Sequence, residues 1–223
     1  MTPPTKPHHF DLIVFDWDGT LFDSTALIVQ CIQSACRDIG VAVPSDTDAA
    51  YVIGLGLHDA LSHAVPGLPK ERYPELGLRY RHHYFARSNE LVLFDGVLAM
   101  LRDLKSRHHW LAVATGKSRR GLDDALAHSQ MGALFDATRT ADETRSKPHP
   151  QMLLELMRQF GADPARTLMI GDTTHDLQLA VNAGTASVGV SYGAHDSNAF
   201  KDYAPRFVAH SPQALHEWLT QHG

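Results

Sequence analysis

Phe15-Asp16-Trp17-Asp18-Gly19-Thr20-Leu21-Phe22-Asp23-Ser24 follows directly on a short apolar run, Leu12-Ile13-Val14-Phe15. Continuous apolarity over a few residues suits a strand buried on both faces. In extended backbone, residues i and i+2 point the same way, so Asp16 and Asp18 are expected to face one pocket. Two carboxylates held together repel, and a divalent cation is the natural remedy. Gly19 permits a tight backbone departure that a side chain would obstruct. On its own, an Asp-x-Asp pair reads more readily as a strand that ends in an acidic turn. The rest of the chain changes that weighting.

Further apolar runs recur at Leu111–Ala114, Thr167–Ile170, Ala186–Val190 and Phe207–Ala209, with helical patterns between them. Met152, Leu153, Leu156, Met157 and Phe160 follow helical spacing, as do Val97, Leu98, Leu101 and Leu104. Asp163-Pro164 and Ser211-Pro212 each read as a cap followed by proline at the first helical position. Strands alternating with helices predict an α/β fold, a Rossmann-like parallel sheet sandwiched by helices. One gap breaks the rhythm. From Phe15 to Leu111 is far more than the roughly 30 residues of one crossover. The surplus reads helical: Leu27, Ile28, Cys31, Ile32 and Ala35 form one apolar stripe, and Pro66-Gly67-Leu68-Pro69 marks a turn before a basic and aromatic stretch, Glu71 to Asn89. We expect residues 24–92 to form an inserted α-helical cap fed by two linker strands, with residues 1–23 and 93–223 forming the core.

Three segments besides the first bring chemistry. Thr115-Gly116 follows the second buried run, where a hydroxyl and backbone amides suit phosphate oxygens. Lys147, in Ser146-Lys147-Pro148, precedes a helix and is placed to neutralise both a nucleophilic carboxylate and an incoming phosphate. Gly171-Asp172-Thr173-Thr174-His175-Asp176 follows another run, and its spacing sets Asp172 and Asp176 on one side of a starting helix. In an open parallel sheet, ligands gather at the C-terminal strand ends, where all these segments emerge.

Together the four segments resemble the haloacid dehalogenase superfamily, specifically its phosphatases with a helical cap after the first motif. Phe94-Asp95-Gly96-Val97 resembles that family's re-entry from cap to core, and the likeness is nearest to phosphoglycolate phosphatases and their small-substrate relatives. Gly116 departs from the asparagine common in the family at that place. The resemblance implies catalysis by Asp16 as nucleophile and Asp18 as acid and base, with an aspartyl-phosphate intermediate. It implies phosphate binding by Thr115, Gly116 and Lys147. It further implies Mg²⁺ held by the Asp16 carboxylate, the Asp18 backbone carbonyl and Asp172, with Asp176 behind them. The expected substrate is a small-molecule phosphate ester, with 2-phosphoglycolate the leading choice. A phosphosugar mutase, a pyrophosphatase and a non-catalytic binding module are the alternatives.

Bulk properties bound these expectations. The 223 residues are 43% hydrophobic and 20% charged, with a formal net charge of −5, which gives no electrostatic reason to expect nucleic acid or an anionic membrane as partner. No run approaches the ~20 apolar residues of a membrane span, and Met1–His9 lacks the apolar stretch of a signal peptide, so a cytoplasmic protein is expected. Composition and motifs do not separate monomer from homodimer. Cys31 and Cys36 are five apart on a predicted helix and point apart, as packing residues rather than a disulfide. Ala114-Thr115-Gly116-Lys117-Ser118 has the ending of a P-loop, but position 111 is Leu where that motif needs Gly. Gly54-Leu55-Gly56 lacks the third glycine of a dinucleotide fingerprint and is expected to be a cap turn near the substrate. The pairs His8-His9, His82-His83 and His108-His109 are expected on the solvated surface. His175 is expected to line the pocket or stabilise its loop, and Arg79–Phe85 to form an amphipathic cap helix, with a cation that reaches a substrate carboxylate as the lesser reading.

Overall fold

The computed structural model describes residues 9–223. Expectations for the leading segment through His8 lie outside the described residues. The first apolar run forms β1 (Leu12–Phe15), with all four side chains buried. Its alternate residues serve two cores. Ile13 and Phe15 pack with Val97, Met100, Leu101 and Leu215 on one face, and Leu12 and Val14 pack with Met152, Leu153, Leu156 and Leu179 on the other. This two-sided burial is why the run is continuously apolar rather than alternating.

The chain continues through β2 (Phe22–Asp23), α1 (Thr25–Asp38), α2 (Asp46–Tyr51), α3 (Leu57–Ala64), α4 (Tyr73–Ala86) and β3 (Val92–Leu93). It then returns through α5 (Val97–Ser106), β4 (Trp110–Thr115), α6 (Arg119–Ser129), β5 (Ala137–Thr140), α7 (Gln151–Phe160), β6 (Thr167–Gly171), α8 (Thr174–Ala183), β7 (Ala186–Val190), β8 (Phe207–Ala209) and α9 (Pro212–His222). The main sheet runs β5-β4-β1-β6-β7-β8 with every pairing parallel, and Phe15 lies opposite Val113 on one side and Ile170 on the other. Strand order therefore reverses at β1, the position at which a doubly wound sheet opens a crevice.

β2 and β3 pair antiparallel, Phe22 opposite Leu93 and Asp23 opposite Val92, so the chain leaves the core and re-enters it through adjacent strands. Between them, α1–α4 bury a separate apolar cluster that includes Leu27, Ile28, Cys31, Ile32, Leu61 and Leu76. Both cysteines are buried and free.

Several local readings need correction. β5 has the sequence Ala-Thr-Arg-Thr and is only partly buried, an edge strand without the apolar run that reveals the others. Asp163 does not cap a helix: Pro164–Arg166 is a single 3₁₀ turn, too short to continue before β6 begins. Ser211 does cap α9, accepting from the Ala214 N–H at 3.1 Å. The histidine pairs split. His9 is exposed and His83 pairs with Asp38 at 2.8 Å, but His109 is buried, with Nδ1 2.9 Å from the Phe10 carbonyl oxygen at the root of β1. An imidazole that satisfies a backbone carbonyl is tolerated in a core where a bare charge is not.

Candidate active site

The four segments singled out in the sequence meet at the C-terminal ends of β1, β4 and β6, with Lys147 arriving from the loop before α7. Asp16 is 1% exposed, and among the described residues its carboxylate has no partner other than Lys147. Lys147 Nζ stands 2.8 Å from Asp16 Oδ1 and 2.6 Å from Asp176 Oδ1. The lysine is thus an ion partner to two buried carboxylates at once. Burial opposes its charge, but Asp16 and Asp176 together hold its pKa above the ordinary value.

Asp176 is fixed from its other side. Thr173 and Asp176 form a reciprocal capping box at the start of α8, with Thr173 Oγ1 donating to Asp176 Oδ2 at 2.6 Å and the Thr173 N–H at 3.1 Å. Gly171 makes room for this arrangement, since a Cβ there would fall 2.2 Å from Asp176 Cγ. Asp172 accepts from Thr20 Oγ1 at 2.8 Å and from the Ala194 N–H at 2.7 Å. Two glycines press against it: a Cβ on Gly19, whose φ is +74°, would lie 2.1 Å from Asp172 Oδ2, and one on Gly193 would lie 2.2 Å from Asp172 Cβ. Gly19 is therefore required twice, for its left-handed backbone and for the close approach.

Asp16, Asp172 and Asp176 each offer an oxygen within 4.8 Å of the others. One lysine does not neutralise three buried carboxylates. Burial raises the Asp16 pKa well above its ordinary value, and burial, then Asp176, raises Asp172 to about 7. A cluster with orphaned oxygens, excess negative charge and oxygen-only donors fits a hard divalent cation. Asp176 accepts from Lys147 and twice from Thr173, Asp172 accepts once on each oxygen, and Asp16 is paired with Lys147 alone, so Asp16 has the most capacity to spare and Asp172 the next.

Asp18 points into different company. Its Oδ1 accepts from Ser24 Oγ at 2.8 Å, and its Oδ2 lies 2.9 Å from Lys117 Nζ. Lys117 Nζ also donates to Tyr84 Oη at 2.6 Å and sits 4.7 Å from the centre of that ring. The sequence pattern does not single out Lys117, which figures there only in the P-loop-like ending Gly116-Lys117-Ser118. Position two after Thr115 was the available signal. Tyr84 does come from the predicted basic and aromatic helix, yet the buried cation near Asp18 arrives from the core. Arg81 lines the same cavity from an exposed position.

Thr115 is buried at the end of β4, and its Oγ1 accepts from the Lys117 N–H at 3.2 Å, which leaves its own hydroxyl proton free for another acceptor. Gly116 explains its departure from asparagine: a Cβ there would lie 2.4 Å from the Leu55 carbonyl oxygen and 2.6 Å from that of Gly54. The Gly54-Leu55-Gly56 turn rests directly on it. The Gly56 N–H donates to Ser146 Oγ at 2.8 Å, and a Cβ on Gly54 would stand 3.8 Å from Asp16 Oδ2. A second clasp joins insert and core, as His175 Nε2 and His195 Nε2 lie 2.8 and 2.9 Å from one acceptor, the Tyr51 carbonyl oxygen. The Thr174 N–H donates to His195 Nδ1, so His195 carries its proton on Nε2 and is neutral. Burial lowers the pKa of both rings, His175 to about 4.

The geometry has known counterparts. Residues 13–190 match the family model described as haloacid dehalogenase-like hydrolase. The chain is 34% identical over 203 residues to the "probable phosphatase IndB" of Dickeya dadantii (strain 3937), covering 88% of each protein. It is 29% identical over 198 residues to the pyrophosphatase PpaX of Bacillus cereus (strain AH820), covering 88% of this chain and 90% of the relative. The crystal structure of a predicted phosphoglycolate phosphatase from Haemophilus somnus 129pt superposes with a TM-score of 0.85 at 27% identity, over 95% of this chain and 99% of that one. With the motif segments gathered at one end of the sheet and the match spanning most of its length, the chain belongs to the haloacid dehalogenase-like hydrolases.

Proposed function

We propose that the protein is a Mg²⁺-dependent phosphomonoester hydrolase that passes the phosphoryl group first to Asp16 and then to water. The observation behind this reading is the Asp16 carboxylate, buried at the end of β1 with Lys147 as its one partner among the described residues. A carboxylate kept from solvent, with one oxygen left uncommitted, can act as a nucleophile. The names of the relatives, a phosphatase and a pyrophosphatase, support the same reaction class.

The cation would be held by the Asp16 and Asp172 carboxylates together with the Asp18 backbone carbonyl, and would supply charge neutralisation between nucleophile and phosphate. The remaining work falls to side chains. Asp16 attacks phosphorus as the bond to the alcohol oxygen breaks, and Asp18 delivers a proton to that oxygen. Asp18 then takes a proton from the water that cleaves the aspartyl phosphate. Ser24 and Lys117 on its two oxygens fix the orientation of the carboxyl group for both steps. Lys147, Thr115 and the backbone at Gly116 stabilise the phosphoryl oxygens as charge develops on them. Asp176 orients Lys147. The insert, α1–α4, acts as a cap that excludes water while the intermediate exists. Among the described residues no helix is long and apolar enough to cross a membrane, and the buried free thiols suit a reducing cytoplasm.

Phosphate release from ethyl phosphate, 2-phosphoglycolate, sugar phosphates and pyrophosphate, with and without Mg²⁺, tests the reading. Hydrolysis should require Mg²⁺, vanish in Asp16→Asn, and fall by roughly 10²–10⁴-fold in Asp18→Asn. Retention of full activity by Asp16→Asn would falsify the nucleophile assignment. Isomerisation of a sugar phosphate without phosphate release would make the protein a mutase instead.

A further inference from the structure

A cavity of about 550 Å³ lies between the helical insert and the core, and Asp18 lines it while Asp16 and Lys147 do not. A group that protonates a leaving oxygen must face the leaving alcohol, so on the hydrolase reading this cavity receives that alcohol. Ile28, Ile32, Val52 and Leu61 give it an apolar wall, and Arg81, His58, Asp59 and Asp142 are among its polar lining. Tyr80 and Tyr84 add an aromatic wall, their ring centroids 5.8 Å apart and their planes inclined by 26°. The Tyr80 hydroxyl makes no hydrogen bond among the described residues and is open to a ligand.

Size argues against a very small alcohol. A glycolate leaving group has five non-hydrogen atoms and fills on the order of 100 Å³, judged against the ~30 Å³ of a water in the liquid. Most of the cavity would then hold water against apolar walls. The buried cation Lys117 is already committed to Asp18 and Tyr84, and Arg81, the other Lys or Arg in the lining, is exposed. Volumes of roughly 300–1,000 Å³ with apolar and aromatic linings and a few polar groups accommodate larger organic ligands.

We infer that the substrate is the phosphate monoester of a largely apolar, ring-bearing alcohol, whose ring lies against Tyr80 and Tyr84 with its hydroxyl-derived oxygen toward Asp18. The inference rests on the hydrolase reading above. The overall change remains hydrolysis: the phosphorus–oxygen bond to the alcohol breaks, Asp18 returns a proton to the alcohol oxygen, and water's oxygen ends in inorganic phosphate.

The test compares kcat/KM for 2-phenylethyl phosphate, ethyl phosphate and 2-phosphoglycolate with Mg²⁺ present. The first two have leaving oxygens of similar basicity, so their ratio reads ring binding rather than bond strength. A change of one methylene in an apolar pocket is worth roughly 10–200-fold, so the ring compound should lead ethyl phosphate by at least about tenfold. Ile32→Trp, which narrows the cavity, should cut that ratio at least about fivefold. As a measurement independent of turnover and of that variant's folding, calorimetry on Asp16→Asn with Mg²⁺ should show 2-phenylethyl phosphate binding about tenfold tighter than ethyl phosphate. Equal rates, or a lead for 2-phosphoglycolate, would overturn the inference and leave the hydrolase reading standing. No phosphate from any ester would sink the hydrolase reading, and the binding ratio then decides the cavity's chemistry: tenfold upholds it and unity overturns it.

Discussion

Replacing Asp172 by Asn should make the metal-free protein more stable at pH 8 but not at pH 5. The carboxyl has an ordinary pKa of 3.8 and is raised by burial to about 7 in the folded protein. A raised carboxyl binds its proton more tightly when folded. Its effect on stability is therefore nil below pH ~4, grows unfavourable as pH rises, and is complete above ~7. At ~1.4 kcal/mol for each tenfold change in proton affinity, the full penalty is about 4 kcal/mol. Asn removes the titration but introduces a fault. Its amide NH₂ would replace an oxygen that now accepts from either Thr20 or Ala194, leaving one donor unmatched at a cost of about 1–3 kcal/mol. The difference at pH 8 is a gain of about 1–3 kcal/mol, or roughly 2–4 °C in Tm per kcal/mol for a chain of this size. At pH 5 the penalty removed is smaller than or similar to the fault, and the gain disappears. Thermal unfolding in EDTA at both pH values measures this. Mg²⁺ should then raise the Tm of the parent far more than that of the variant. An Asn variant less stable than the parent at pH 8 in EDTA would refute the account of a charge-frustrated cluster.

Lys147→Met should act oppositely, leaving two buried carboxylates without their shared cation and lowering stability by about 3–5 kcal/mol in urea unfolding at pH 7. Gly116→Ala should lift the Gly54–Gly56 turn from its seat, because the new Cβ would meet the Leu55 carbonyl at 2.4 Å. Faster amide exchange in residues 52–57 with an unchanged circular dichroism spectrum is the expected signature; unchanged exchange would show that the contact is easily relaxed. His195→Ala removes one of the two rings on the Tyr51 carbonyl and should speed exchange at the end of α2, while His109→Ala, remote from the clasp, should not.

Much of the architecture was readable because parallel strands buried on both faces leave continuous apolar runs. β1, β4, β6, β7 and β8 all announced themselves this way, and β5 did not, because an edge strand that pairs Thr115 with Thr140 through backbone alone needs no apolar side chains. The site segments were readable for a related reason: each follows a run directly, so the end of the strand fixes where its side chains emerge. Asp16, Lys147, Asp172 and Asp176 do converge. What stayed hidden is contact between distant segments. Nothing local shows that Lys117 would reach Asp18 and Tyr84, that two histidines would share one carbonyl, or that Gly116 would lie beneath residues 54 and 55. His109 was misplaced for the same reason, since its partner Phe10 is 99 positions away in sequence.

The capping box at the start of α8 has a consequence for how activity would be lost. Asp176 is at once the residue that seals the first turn of a helix and the residue that holds Lys147 in place. Fraying of that turn withdraws a carboxylate from Lys147, and an unrestrained lysine no longer faces Asp16 with fixed geometry. The helix start thus behaves as a fuse: partial unwinding of four residues disconnects the centre completely while the sheet beneath stays intact. Inactivation on gentle heating should accordingly precede loss of the core, and the two events should merge when Mg²⁺ is bound and the cluster is tied together.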